Sequence, residues 1–192
     1  MADVSHRQCF VALGANLPTA TGTPIDTLNC ALKLISRESL CPVLFSGWYQ
    51  SPAFPAGSGP DFVNGVAKIC THKPALDVIE ILHAIEKRLG RTRHSRWEAR
   101  VCDLDLIAYA DHVVPSHEVF DHWQTLPTDQ QRTHSPDQLI LPHPRMQDRA
   151  FVLVPMLEIA PDWVHPRTAK TIREMINMLP KSDLDGIQPI TS

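Results

Sequence analysis

The stretch Arg100-Val101-Cys102-Asp103-Leu104-Asp105-Leu106-Ile107 alternates polar and apolar residues. That is the period of a strand with one wet face and one buried face. Asp103 and Asp105 then point the same way, and Cys102, Leu104, Leu106 and Ala108 share the opposite, apolar face. Two carboxylates on one face seat a hard divalent cation such as magnesium. Arg88, Arg91, Arg93, Arg96 and Arg100 crowd the residues leading into the strand. Guanidinium groups make forked, charge-assisted contacts to phosphate oxygens. Carboxylates for a metal beside arginines for phosphate are the parts of phosphoryl-transfer chemistry, in which positioning and charge neutralisation do most of the work. The bland reading of the same residues is a half-buried strand with a solvated outer face and a basic loop before it.

Upstream of this strand, Leu76, Ile79, Leu82, His83 and Glu86 fall at helical spacing between Pro74 and Leu89, and Gly90 is a stop. Residues 91–100 are a polar loop and 101–109 the fourth strand. Asp61 to Thr71 reads as a third strand, preceded by a Pro- and Gly-rich loop over 51–60 and a second strand over 42–50. A first helix begins at Pro24, with Thr23 as its cap and Leu28, Ala31, Leu32 and Ile35 as its stripe. Residues 8–13 are a buried first strand. Strand, helix, strand, strand, helix, strand is the ferredoxin-like, split βαβ order of an α+β fold. It predicts an antiparallel sheet with two helices on one face and further C-terminal helices. The loops before strands three and four would meet at one end of the sheet.

Downstream, residues 110–141 lack periodicity and read as a long surface excursion, with a short helix around Thr128–Gln131. Asp148 to Ala160 reads as a buried helix with Pro155 in its first turns, and Thr168 to Leu179 as a last amphipathic helix. All 192 residues are expected to form one domain.

A net charge of −3 excludes a chain built to coat nucleic acid or an anionic membrane. It also sharpens the local basic run, because Lys87, Arg88, Arg91, Arg93, Arg96 and Arg100 are six of the eighteen Lys and Arg residues. Cys9, Cys30, Cys41, Cys70 and Cys102 are odd in number and scattered. They predict neither a disulfide framework nor a structural zinc site, and a reducing cytoplasm. No transmembrane span or signal peptide is expected.

Seven short segments, in order, resemble the 6-hydroxymethyl-7,8-dihydropterin pyrophosphokinase family of folate biosynthesis. They are Gly14-Ala15-Asn16-Leu17, Tyr49-Gln50-Ser51-Pro52, Asp61-Phe62-Val63-Asn64, Ile85-Glu86 with Gly90-Arg91-Thr92-Arg93, Arg96-Trp97 with Arg100-x-x-Asp103-Leu104-Asp105, Leu141-Pro142-His143-Pro144, and Asp148-Arg149-Ala150-Phe151. The resemblance implies transfer of pyrophosphate from ATP to the pterin hydroxymethyl group, with release of AMP. It implies that Asp103 and Asp105 ligate two magnesium ions. Arg91 and Arg100 would act on the breaking linkage, and Arg93, Arg96 and Trp97 would belong to a loop closing over ATP. Glu86, Leu106, His143 and Arg149 would complete the nucleotide site, with Glu86 on the ribose or adenine side. The pterin would lie between Phe62 and Phe151, with Trp97 closing over it, Asn64 reading its edge, and Ser51, Pro52 and Phe54 offering backbone groups. A monomer that binds neither nucleic acid nor membrane is expected. Glu98 departs from the family, standing where a small residue is common.

Two other readings fit parts of the pattern. A metal-dependent nucleotidyltransferase with a similar sheet would release pyrophosphate, and it needs a third acidic residue within a neighbouring strand; Asp61 only starts one. An RNA-recognition module shares the element order but needs aromatics where this fourth strand carries carboxylates.

Overall fold

The structure is a computed structural model and describes residues 6–19, 22–53, 57, 59–90, 100–127, 130, 134 and 136–191. Its strands are β1 (Arg7–Ala15), β2 (Leu44–Phe45), β3 (Tyr49–Ser51), β4 (Phe62–Thr71), β5 (Asp103–Tyr109) and β6 (Gln188–Pro189). The helices are α1 (Pro24–Glu38), α2 (Ala75–Arg88), α3 (His117–Thr125), α4 (Ala150–Ile159), α5 (Ile172–Ile176) and α6 (Lys181–Asp185), with a 3-10 turn at Met146–Asp148. The sheet order is β5-β1-β4-β3-β6, β2 also pairs with β4, and every pairing is antiparallel. This is the expected ferredoxin-like arrangement, widened at one edge by the C-terminal strand.

Alternation along β1 sorts the two sides of the sheet. Cys9, Val11, Leu13 and Ala15 pack with α1 and α2 through Leu28, Ala31, Ile35, Val78, Leu82 and Ile85. Phe10 faces the other way, into a second cluster with Val66, Val152, Leu153, Met156, Ile172 and Met175. Both faces are therefore covered, the second by α4 and α5. Thr23 caps α1 through a reciprocal bond with Asp26, and Thr171 does the same for α5 with Glu174.

Several expectations are corrected. The segment 42–50 is two short strands, because Gly47 breaks it at φ +81°. Ser46 fills the break by accepting the Val66 N–H at 3.0 Å. Pro155 lies in the middle of α4, not in its first turns. The last helix shortens to the single turn and a half of α5. The excursion contains a helix, α3, which the sequence pattern hid, while Thr128, Asp129 and Gln131 lie outside the described residues. Cys41 is disulfide-bonded to Cys70, with their Cα atoms 5.5 Å apart. They lie 29 residues apart in sequence and are brought together because Leu40 N–H bonds to the Cys70 carbonyl at 2.8 Å.

The remaining correction concerns β5. Phe10 pairs with Ala108 but its neighbour Val11 pairs with Leu106, so Ile107 is an extra residue in β5. The bulge turns Ala108 to the α4 side, away from Leu104 and Leu106, and both Ile107 and Ala108 join the second cluster. The Ile107 carbonyl accepts the His143 N–H at 2.7 Å. Among the described residues, no helix is long and apolar enough to cross a membrane.

Candidate active site

Antiparallel pairing puts directly opposed residues on one face. Asp103 opposes Gly14, Gly14 opposes Asn64, and Asn64 opposes Tyr49. One row across four strands thus carries a carboxylate, a gap, an amide and a phenol. Asp105 opposes Ala12 in the next row, and Phe62 opposes Ser51 in the row beyond Asn64. The gap at Gly14 has a steric origin: a Cβ there would lie 3.2 Å from Asn64 Oδ1. Asn64 is buried and donates from Nδ2 to Ser51 Oγ at 2.8 Å, which fixes its rotamer. Neither Phe62 nor Phe151 belongs to a core cluster; Phe62 is half-buried and Phe151 is 37% exposed.

Each aspartate faces an arginine. Arg100 Nη1 pairs with Asp103 Oδ2, and Arg149 Nη1 lies 3.5 Å from Asp105 Oδ2. The Arg149 guanidinium also sits over the Phe151 ring, 5.7 Å from its centre. Arg149 comes from the start of α4 and Arg100 from the loop before β5, so the charges converge from distant segments. Asn16, 4% exposed, ties the approach together. Its Oδ1 accepts the Arg100 N–H at 2.7 Å, and its Nδ2 donates to the Pro60 carbonyl at 3.1 Å. The predicted meeting of the loops before β4 and β5 is therefore made by the residue that follows β1. Asn16 stands in the first of the seven family segments, Gly14-Ala15-Asn16-Leu17, but sequence reading gave it no role of its own.

Beyond β5 opens a cavity of about 480 Å³. Arg100, Asp105, Leu106, His143 and Arg149 line it, which brings together five of the predicted residues. Trp123 of α3 and His134 line it too, so the excursion is part of the site. His143 Nδ1 accepts the Arg145 N–H at 3.1 Å, which leaves the ring proton on Nε2 as a donor. Burial, with help from the Arg149 charge, holds the His143 imidazole neutral by pushing its pKa far below the usual histidine range.

Glu86 is placed differently from the expectation. It is 2% exposed and its Oε1 accepts the Leu104 N–H at 2.8 Å, on the outer edge of β5. It braces the strand between the two aspartates and is not on the cavity wall. Arg91, Arg93, Arg96, Trp97 and Phe54 lie outside the described residues. Among the described residues there is no group of three or more His, Cys, Asp or Glu side chains that would hold a metal by themselves. A cation on Asp103 and Asp105 would need oxygens from elsewhere, as magnesium on a nucleotide has.

Residues 10–161 match the family described as 7,8-dihydro-6-hydroxymethylpterin-pyrophosphokinase. The chain is 35% identical over 188 residues to 2-amino-4-hydroxy-6-hydroxymethyldihydropteridine pyrophosphokinase of Synechocystis sp., covering 96% of this chain and 82% of that one. It is 33% identical over 181 residues to the enzyme of the same name from Haemophilus influenzae, covering 94% and 98%. Its fold is similar to the crystal structure of wild-type Plasmodium falciparum HPPK-DHPS, with a TM-score of 0.61 and 14% identity. That alignment covers 90% of this chain and 44% of the Plasmodium chain.

Proposed function

This chain belongs to the 7,8-dihydro-6-hydroxymethylpterin-pyrophosphokinase family, and from that premise we propose how its own residues carry the reaction. It is an ATP-dependent diphosphotransferase of folate biosynthesis, moving the pyrophosphoryl group of ATP onto 6-hydroxymethyl-7,8-dihydropterin with release of AMP. The residue-level reading rests on the row Asp103–Gly14–Asn64, in which a carboxylate and a side-chain amide share one face across a position that carries no side chain.

ATP lies in the cavity beside β5, with its phosphates at Asp105, Arg100 and Arg149. The pterin lies over Asn64, between the faces of Phe62 and Phe151. Asn64 offers a donor and an acceptor to the pyrimidinone edge, held in place by Ser51. Backbone groups at Ser51, Pro52 and Phe54 read the remaining edge. Asp103 and Asp105 fit magnesium: they are hard oxygen donors on one face of the strand, opposite Gly14 and Ala12, which bring no polar side chain of their own. Two such ions, bound there with ATP, would neutralise the phosphates and lower the pKa of the attacking hydroxyl.

The arginines supply the rest of the charge. Arg100 and Arg149, paired with the aspartates, are placed to turn to phosphate oxygens when cations satisfy the carboxylates. Arg91 acts with Arg100 on the α–β linkage as it breaks, and Arg93 and Arg96 hold the triphosphate from the loop. Trp97 closes that loop from the pterin side and excludes water, which competes with the pterin hydroxyl. His143, neutral and donating from Nε2, bonds a nucleotide oxygen without adding charge. Glu86 acts indirectly, by holding the Leu104 N–H and so the register of the aspartates. The chain works as one domain and a monomer in the cytoplasm, where ATP is plentiful.

The test is an AMP-release assay with ATP, magnesium and the pterin, each omitted in turn. One AMP per pterin consumed is expected. Release of ADP, release of free pyrophosphate, or turnover that ignores the pterin would each refute the assignment.

A further inference from the structure

The cavity lining carries two chemistries. Arg100, Asp105, Arg145 and Arg149 bring charge, while Ile79, Leu82, Trp123 and Ile140 bring apolar surface. Trp123 comes from α3, inside the stretch 110–141. That helix is anchored from outside the site. Phe120 is fully buried, with its ring 5.5 Å from that of His165. Asp121 receives two hydrogen bonds from Arg167, at 2.7 and 2.5 Å. Ser116 caps the first turn by accepting the Val119 N–H at 3.3 Å. Trp123 follows Phe120 by three residues and so shares its inward side of the helix. Its indole is only half-buried, although the helix that carries it is pinned at two neighbouring positions. A pinned helix that leaves a large ring facing a cavity is arranged to hold something flat.

We propose that Trp123 is the platform on which the adenine of ATP stacks, so that base recognition in this chain belongs to the α3 segment. The inference rests on ATP occupying this cavity. With the triphosphate held by Arg100 and Arg149, the base rests on the Trp123 ring against the apolar part of the lining. Stacking of a base on an aromatic ring is worth a factor of about 5 to 150 in affinity when the ring is removed. A half-buried indole belongs near the lower part of that range.

The experiment is calorimetric titration of the full chain with magnesium-ATP and with magnesium-tripolyphosphate, which has the phosphates but no base. Trp123→Ala should weaken ATP binding by on the order of tenfold and leave tripolyphosphate within twofold. Trp123→Leu, which keeps the apolar volume, guards against a folding defect and should show the same split. Trp123→Phe should recover most of the ATP affinity. In turnover, KM for ATP should rise while kcat and KM for the pterin stay level. Equal loss for ATP and tripolyphosphate, or no loss for ATP, would overturn the stacking assignment. Wild-type protein that binds ATP with this base dependence but forms no AMP would overturn the proposed reaction and leave the stacking assignment standing.

Discussion

Replacing Asn16 with alanine removes two hydrogen bonds at the point where β1, the loop before β4 and the entry to β5 meet. The Arg100 N–H loses its acceptor in a half-buried setting, which costs about 1–2 kcal/mol because water compensates only in part. The Pro60 carbonyl is exposed and rehydrates, so its share is about 0.5–1 kcal/mol. Stability should fall by about 1.5–3 kcal/mol in total, read by urea denaturation. Activity should fall by more than stability implies. Arg100 pairs with Asp103, and a displacement of about 1 Å in such a group costs on the order of 10²-fold in turnover. The AMP-release assay at saturating substrates reads this directly. Asn16→Asp keeps the acceptor for the Arg100 N–H and loses only the donor to Pro60, so it should be more stable than Asn16→Ala and turn over faster. If Asn16→Ala kept wild-type kcat, Asn16 would be a structural residue only. If Asn16→Asp were as slow as Asn16→Ala, the Arg100 contact would not be the cause.

Asp105→Asn should lose nearly all turnover at saturating magnesium while its circular dichroism stays native, since Asp105 faces the site and not the core; near-wild-type kcat would sink the metal assignment. Burial pushes the fully buried His165 down to about 4, from an ordinary value of 6.5. The unfolded chain therefore binds a proton that the folded chain refuses, so stability should drop as pH falls from about 6.5 to about 4, by about 3 kcal/mol from this residue. His165→Asn keeps an acceptor for the Arg167 and Thr168 N–H groups and should flatten that part of the profile; an unchanged slope would contradict the assignment. Purified without reductant and then denatured, the chain should expose three reactive thiols, rising to five after reduction. Before denaturation only Cys30 should react quickly, because Cys102 is buried and burial pushes the Cys9 thiol up to about 12. Five thiols without reductant would rule out the Cys41–Cys70 bond.

The order of the main elements and the shared facing of Asp103 and Asp105 were legible from period alone, because a strand's two faces follow directly from alternation; Phe62 and Asn64 were drawn to the site only by the family resemblance. Thr23, Pro24 and Gly90 announced their helix ends through local chemistry. What stayed hidden is of two kinds. Ile107 and Gly47 break the alternation in place, and a single extra residue has no compositional mark when the neighbours are all apolar. Glu86, Asn16, Trp123 and the cysteine pair depend on contacts between segments far apart in the chain. A buried glutamate that accepts one strand N–H looks, in sequence, like any polar residue on a helix. Helix α3 lacks a long apolar stripe because it docks through Phe120 and one ion pair, so its periodicity is too short to register.

The extra residue at Ile107 has a consequence for anyone who recombines this protein with a relative. The Leu104 N–H points outward, to Glu86, so in an unbroken ladder the backbone groups of Asp103, Asp105 and Ile107 would all turn inward to β1. The bulge releases the Ile107 carbonyl to the outside, where it meets the His143 N–H. One inserted residue thus couples the phase of the strand to the seating of a histidine 36 positions later. Crossover points placed between 103 and 109 would separate two halves that must share a count, and a graft lacking Ile107 would put Tyr109 on the wrong side while stranding His143. Safe junctions lie before the aspartates or after Tyr109, with the whole strand inherited as a unit together with the segment around His143.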